Sequence, residues 1–71
     1  MAEKDFKISL AAARINAGLT QNDVALALHK NKQTIVNWEK GATTVDLANF
    51  TALCELYKVP TDLIFLPDKS S

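Results

Sequence analysis

The stretch LTQNDVALALHKNKQTIVNWEKG, residues 19–41, contains two segments with helical periodicity separated by a very short link. Residues 21–28 place apolar side chains on one helical face, and residues 32–40 repeat that arrangement. A link as short as His29 and Lys30 cannot return the chain antiparallel, so it forces the two helices to cross steeply. We therefore expect the second of these helices to pack one side on the core and to present the other.

The presented side of residues 32–40 carries side chains that suit nucleic acid. Ile35 and Trp38 are the apolar anchors of this helix. At about 100° per residue, one arc of roughly 140° lies opposite the anchors. That arc holds Lys32, Gln33, Val36 and Asn37. Lysine, glutamine and asparagine pair well with base edges and phosphates, although the same pattern also describes an ordinary solvated helix face.

The whole chain fits one small intracellular domain. Its 71 residues are enough for a single domain, which we expect over residues 1–67, with a short polar tail over 68–71. We find neither an apolar run of about 20 residues for a membrane span nor a secretory signal. One cysteine cannot form an internal disulfide, which is typical of a reducing cytoplasm. Eight basic and eight acidic residues cancel, so net charge alone does not indicate a nucleic-acid partner.

The chain is predicted to be all-α, with five short helices. No alternating β pattern is present, and the glycines and prolines fall where helices should stop or start. The predicted helices are residues 5–17, 21–28, 32–40, 47–57 and 62–66. Their predicted N-caps include Thr20, Asn31 and Asp46, and Gly18 and Gly41 are predicted stops. The predicted inward side chains are Phe6, Leu10, Ala13, Val24, Ala25, Leu28, Phe50, Leu53, Cys54, Tyr57, Ile64 and Phe65.

Several short motifs in this order resemble the helix-turn-helix of the lambda-repressor and Cro-like (XRE-type) DNA-binding domains. The matching elements are Leu19-Thr20-Gln21, Asp23-Val24-Ala25, Ile35 and Trp38-Glu39-Lys40-Gly41. The likeness extends over roughly residues 8–66. It implies a compact five-helix domain whose third helix enters the DNA major groove, usually as a dimer on a palindromic operator.

The resemblance also implies roles for individual residues. Lys32, Gln33, Val36 and Asn37 match the base-facing positions, where glutamine and asparagine can each pair with adenine, valine can touch a thymine methyl group, and lysine can reach guanine or a phosphate. The expected phosphate contacts are Thr20, Gln21, Asn31, Thr34, Lys40 and Thr43. Arg14 and Glu39 match a pair that bridges the first and third helices, and the alternative for them is two solvated charges.

Two further features of the sequence bear on the resemblance. His29 occupies a turn position at which the family has glycine and the backbone often needs positive φ, which histidine tolerates better than bulky residues do. Leu63 and Leu66 are expected to be partly exposed, and they are a candidate contact between two copies in a weak homodimer.

The resulting hypothesis is a sequence-specific DNA-binding transcriptional regulator, most simply a small repressor of phage or mobile-element type that acts by occupying its operator. Double-stranded DNA is the expected partner, with no membrane and no small-molecule substrate. The alternative is a protein-interaction module on the same scaffold, such as an antitoxin or anti-repressor. We expect no enzyme activity, cofactor or metal, because the sequence contains no nucleophile–base pair, carboxylate pair or cluster of metal ligands.

Overall fold

The computed structural model describes residues 7–66, which form four α-helices followed by a short 3-10 turn. The helices are α1 (Leu10–Asn16), α2 (Gln21–Leu28), α3 (Lys32–Lys40) and α4 (Leu47–Tyr57), and the 3-10 turn is Thr61–Leu63. The last three helices coincide with the predicted ranges. The five-helix prediction is wrong by one helix, because the final segment forms only the turn. No helix in this part of the chain has the length and apolar character that a membrane span requires.

Each α-helix begins where a small polar side chain accepts a hydrogen bond from a backbone N–H in the first turn. These N-cap residues have extended backbones and are Ser9, Thr20, Asn31 and Asp46. At the start of α2 the contact is reciprocal, because the Thr20 N–H also donates to the Asp23 carboxylate at 2.9 Å. Caps of this kind satisfy N–H groups that have no partner within the helix, so they specify where helices start.

The first helix starts later than predicted because the backbone before it pairs with the end of the described chain. Ile8 donates its N–H to the Leu63 carbonyl at 2.9 Å and accepts the Phe65 N–H at 3.1 Å. A residue paired in this way is extended and cannot belong to α1. The predicted helix over residues 5–17 is therefore wrong at residues 7–9, and its members Asp5 and Phe6 lie outside the described residues.

The same pairing replaces the predicted fifth helix. Ile64 is extended, with φ −98° and ψ 130°, and its side chain is buried with 4% exposure. Consecutive side chains of an extended segment point to opposite sides, so the next residue, Phe65, faces outward with 48% exposure. The prediction of a helix over 62–66 with Phe65 in the core is wrong, and only Ile64 fills the core position.

The core is apolar and receives side chains from all four helices. The buried side chains are Leu10, Ala13, Val24, Ala25, Ile35, Trp38, Val45, Leu53, Cys54, Tyr57 and Ile64. Leu28 and Phe50, which were predicted to face inward, are half-buried against this cluster. Val45 lies between α3 and α4, where helical periodicity gave no signal. Cys54, which was predicted to face inward, is buried, and burial raises the pKa of its thiol.

Candidate nucleic-acid interface

The turn between α2 and α3 uses a left-handed residue to redirect the chain. His29 has φ 58° and ψ 43°, which few residues other than glycine adopt readily. The Lys30 N–H donates to the Ala25 carbonyl at 2.8 Å, which satisfies one of the last carbonyls of α2. Asn31 then caps α3 at once. The change of direction between α2 and α3 therefore depends on a backbone conformation that histidine holds with some strain.

Helix α3 has a buried side and a presented side. Ile35 and Trp38 are in the core, with 1% and 6% exposure. Of the proposed base-facing side chains, Lys32 and Gln33 are exposed, whereas Val36 and Asn37 are half-buried. Within the predicted arc, the side chains of the first turn are therefore more exposed than those of the next turn.

Two side chains on the presented side of α3 are bonded to each other. The Gln33 Nε2 donates to the Asn37 Oδ1 at 3.0 Å, one helical turn further along. The Asn37 backbone is itself anchored, because its carbonyl accepts the Ala42 N–H at 2.9 Å just beyond the end of the helix. Residues four positions apart lie on the same side of a helix, so the sequence contains the signal for this pairing, although only separate roles were predicted for the two amides.

The start of α2 holds a negative charge beside its free N–H groups. Asp23 is fully exposed, and its pKa is lowered first by the hydrogen bond from the Thr20 backbone N–H and then by the bond with the Thr20 side chain. The Thr20 hydroxyl oxygen also accepts the Asp23 N–H at 3.0 Å. A phosphate at this helix start would meet a donor and a carboxylate together.

At the start of α3, the cap uses the hydrogen-bond donors of Thr34. The Asn31 Oδ1 accepts both the Thr34 N–H at 3.0 Å and the Thr34 hydroxyl at 2.9 Å. Thr34 would have to break one of these bonds to donate to a phosphate, whereas the Asn31 amide N–H groups do not take part in the cap. Lys40 and Thr43, at the far end of the helix, are both exposed.

Side chains from α1 and α2 meet at Glu39 of α3. Arg14 of α1 donates from Nε to the Glu39 Oε2 at 2.7 Å and more weakly from Nη2 to Oε1 at 3.4 Å. Gln21 of α2 donates from Nε2 to the same Oε1 at 2.9 Å, and Arg14 also reaches the Leu19 carbonyl at 3.0 Å. The bond with Glu39 is the main cause of the raised pKa of Arg14. This network ties α3 to α1 and α2.

The network has two consequences for the presented surface. The Glu39 carboxylate faces Arg14 and is largely shielded from water, with a side-chain exposure of 8%. The exposed lysines around α3, which are Lys30, Lys32 and Lys40, therefore meet little opposing charge from Glu39. Gln21 has one of its two amide hydrogens engaged with Glu39, an interaction across 18 positions that was not predicted from the sequence.

The remaining predicted contact residues lie at the end of the described chain. Leu63 is half-buried and Leu66 is 37% exposed, and Phe65 between them is exposed as well. Other large apolar side chains that face solvent are Ile15, Leu26 and Leu47. These three belong to α1, α2 and α4, so exposed apolar groups are not confined to the segment proposed for dimer contact.

Comparison with known proteins gives one match. A protein-family model described as helix-turn-helix matches residues 10–64 of the chain. No curated protein and no solved structure matches the chain significantly. The matched span runs from the first residue of α1 to Ile64, so it includes all four α-helices and the 3-10 turn.

Proposed function

Because this chain belongs to the helix-turn-helix family of lambda-repressor and Cro-like (XRE-type) domains, we propose that it recognises a specific DNA sequence and represses transcription from it. The family is one of DNA-binding transcription regulators and is typically non-enzymatic. The proposed mechanism is occupancy, in which the bound protein blocks access of the polymerase to the same DNA. A small repressor of phage or mobile-element type, working in the cytoplasm, fits this mechanism.

The observation that carries the proposal is the two-sided packing of α3. Its apolar anchors Ile35 and Trp38 are buried, while Lys32 and Gln33 project into solvent. An α-helix fits the major groove of B-DNA, where amide side chains pair with adenine and ammonium groups reach guanine or phosphate. Each good bidentate contact contributes about 1–3 kcal/mol of discrimination against the wrong base. The side chains proposed to read the bases are Lys32, Gln33, Val36 and Asn37.

The proposed phosphate contacts flank this helix. Thr20 and Gln21 open α2 and Asn31 opens α3, so the two helix N-termini and the free amide hydrogens of Gln21 and Asn31 favour anions. Lys40 and Thr43 follow at the other end of α3. Thr34 is the weakest of the proposed contacts, because the cap already uses its donors. Such contacts position the protein and make its affinity depend on salt, without specifying sequence.

We further propose that two copies bind together on a palindromic operator. The exposed apolar side chains Phe65 and Leu66, with Leu63 beside them, support contact between copies at the end of the described chain. An interface of a few side chains would be weak in solution, and simultaneous binding of both copies to one duplex would strengthen it. The neutral net charge also favours paired binding over tight binding by one copy.

Selection of bound sequences from a pool of random duplexes tests the proposal. We expect the wild-type protein to enrich a palindrome, and Gln33→Ala to change or abolish that preference. Thr51→Ala is the control, because Thr51 is exposed on α4 and does not belong to the presented side of α3. This variant should enrich the same palindrome as the wild-type protein. Failure of the folded wild-type protein to enrich any sequence would refute the proposal.

The exposed Leu26 and Leu47 favour a second candidate, a protein-interaction module such as an antitoxin or anti-repressor. Salt titration of binding to a random duplex separates the two functions. A protein that contacts phosphates with lysines loses affinity steeply as salt rises, since each neutralised phosphate releases counterions. Absence of binding at low salt would favour the protein partner.

A further inference from the structure

The hydrogen bond between Gln33 and Asn37 indicates that these two residues on the presented side of α3 have different roles. We propose that these residues act as one unit, in which Gln33 contacts an A·T base pair and Asn37 positions the Gln33 amide. The inference rests on the proposed DNA-binding function and deepens it. The observation behind it is the 3.0 Å bond from the Gln33 Nε2 to the Asn37 Oδ1.

The chemistry of the glutamine amide allows both contacts at once. Adenine offers the N7 acceptor and an N6 donor in the major groove, and glutamine meets them with its Oε1 and one Nε2–H. The amide has a second Nε2–H, which lies trans to Oε1 and points away from that edge. When this second hydrogen donates to Asn37, the edge that pairs with adenine stays free. All three polar groups of Gln33 then have defined partners.

The surroundings of the two residues assign their roles. Gln33 is exposed and has a long side chain, which loses much rotamer freedom when it is held in one position. Asn37 is half-buried, shorter, and anchored through its carbonyl to the Ala42 N–H. Asn37 is therefore the fixed member of the pair, and its bond to Gln33 reduces the disorder that base contact would otherwise have to remove.

The bond also limits what Asn37 can do by itself. A bidentate contact between asparagine and adenine uses the Oδ1 as an acceptor, and one of the two lone pairs of that oxygen is already engaged by Gln33. The bond from Gln33 fixes the orientation of the Asn37 amide, so Asn37 cannot turn toward a second base without giving up this bond. One A·T pair in each half-site is therefore assigned to Gln33 and Asn37 together.

The test measures affinity for the sequence that the wild-type protein selects and for duplexes that carry each single base-pair change. The variants are Gln33→Ala, Asn37→Ala, the double substitution and Asn37→Asp. We expect Gln33→Ala to lower the preference at one A·T pair by about tenfold or more. Asn37→Ala should weaken the preference at that same pair by about two- to tenfold, the effect of one hydrogen bond. The double substitution should be no worse there than Gln33→Ala.

Asn37→Asp separates positioning from general damage to the helix. The carboxylate keeps an acceptor for the Gln33 N–H, so the preference at the A·T pair should be retained. Its negative charge should meanwhile lower affinity for every duplex by a similar factor. Thermal unfolding of each variant establishes that the compared proteins are folded.

Two results would overturn the inference by itself. One is a loss of preference at a different base pair in Asn37→Ala, and the other is an additive effect of the two alanine substitutions, since both describe independent readers. A wild-type protein that selects no sequence would overturn the proposed function, and this inference with it. The two kinds of failure are distinguishable, because the wild-type protein alone shows whether any sequence is selected, before any variant is compared.

Discussion

Substitution of Glu39 by methionine should destabilise the domain far more than the loss of a surface carboxylate would. Glu39 receives hydrogen bonds from Arg14 at 2.7 and 3.4 Å and from Gln21 at 2.9 Å. The Arg14 side chain is 14% exposed, so its charge would be left with little solvent and, among the described residues, with the Leu19 carbonyl as its remaining partner. The expected result is a domain whose third helix is poorly tied to the first two.

The size of the effect follows from these contacts. The short Arg14 Nε bond is charge-assisted and contributes about 1.5–3 kcal/mol, while the 3.4 Å contact is weak. Breaking a fully buried pair costs about 3–5 kcal/mol, and the partial exposure here reduces that figure. We expect Glu39→Met to cost about 2–4 kcal/mol. A chain of 71 residues has roughly 4–10 kcal/mol of stability, so the loss is large.

Urea unfolding followed by the fluorescence of Trp38 measures this loss. Trp38 is the one tryptophan of the chain and anchors α3 to the core, so its emission reports on the helix in question. The double-mutant cycle consists of Arg14→Met, Glu39→Met and both together. The double variant should be less destabilised than the sum of the single ones, because no charge is then left without a partner.

Glu55→Met is the control, because Glu55 is an exposed carboxylate on α4. It should change the free energy of unfolding by no more than about 0.5 kcal/mol. If Glu39→Met is as mild as this control and the cycle shows no coupling, Arg14 and Glu39 behave as two solvated charges. The view that their network sets the position of α3 would then be refuted.

Two further predictions concern the backbone and the pH dependence of stability. His29→Gly should stabilise the domain by about 0.5–1 kcal/mol in urea unfolding, because glycine adopts the left-handed conformation without strain. Lys58→Gly, at φ 60°, provides the matched comparison, and a loss of stability in both variants would contradict the assigned conformation. Burial, reinforced by the nearby Glu39 charge, raises the pKa of Tyr57 from 10.0 to about 12. The stability that this pKa shift contributes is fully present below pH 10 and is lost as pH rises toward 12. The phenolate absorbance of this single tyrosine should therefore appear at higher pH than that of a free tyrosine. A midpoint near pH 10 in the folded protein would contradict the prediction.

The helices that were predicted correctly are those whose boundaries depend on neighbouring residues. The caps at Thr20, Asn31 and Asp46 join atoms three positions apart, so the sequence contains the whole signal. The ends of the described chain are different, because Ile8 is extended only through pairing with a segment far along the sequence. Helical periodicity within one segment cannot predict a contact between residues so far apart in the sequence. Lys58 likewise ends α4 in a left-handed conformation, which could not be predicted because the position holds no glycine.

The candidate site shows the same division. The buried and presented sides of α3 follow from helical spacing, because Ile35 and Trp38 lie opposite Gln33. The pairing of Arg14 with Glu39 spans 25 positions, and only resemblance to a family suggested it. The bond from Gln21 to Glu39 was predicted by neither route. The orientation of α3 was therefore predictable from its sequence, whereas the hydrogen bonds that join α3 to α1 and α2 required the structure.

The pairing of Ile8 with the segment around Ile64 also bears on how the chain folds. Almost all of the described chain lies between these two residues, so forming their contact first would close a very long loop and lose much chain entropy. Helices and short turns form faster, because their contacts are local. The pairing of Ile8 with the segment around Ile64 is therefore expected to form last during folding and to open first during unfolding. Fluctuations that release it would leave the arrangement of α2 and α3 intact.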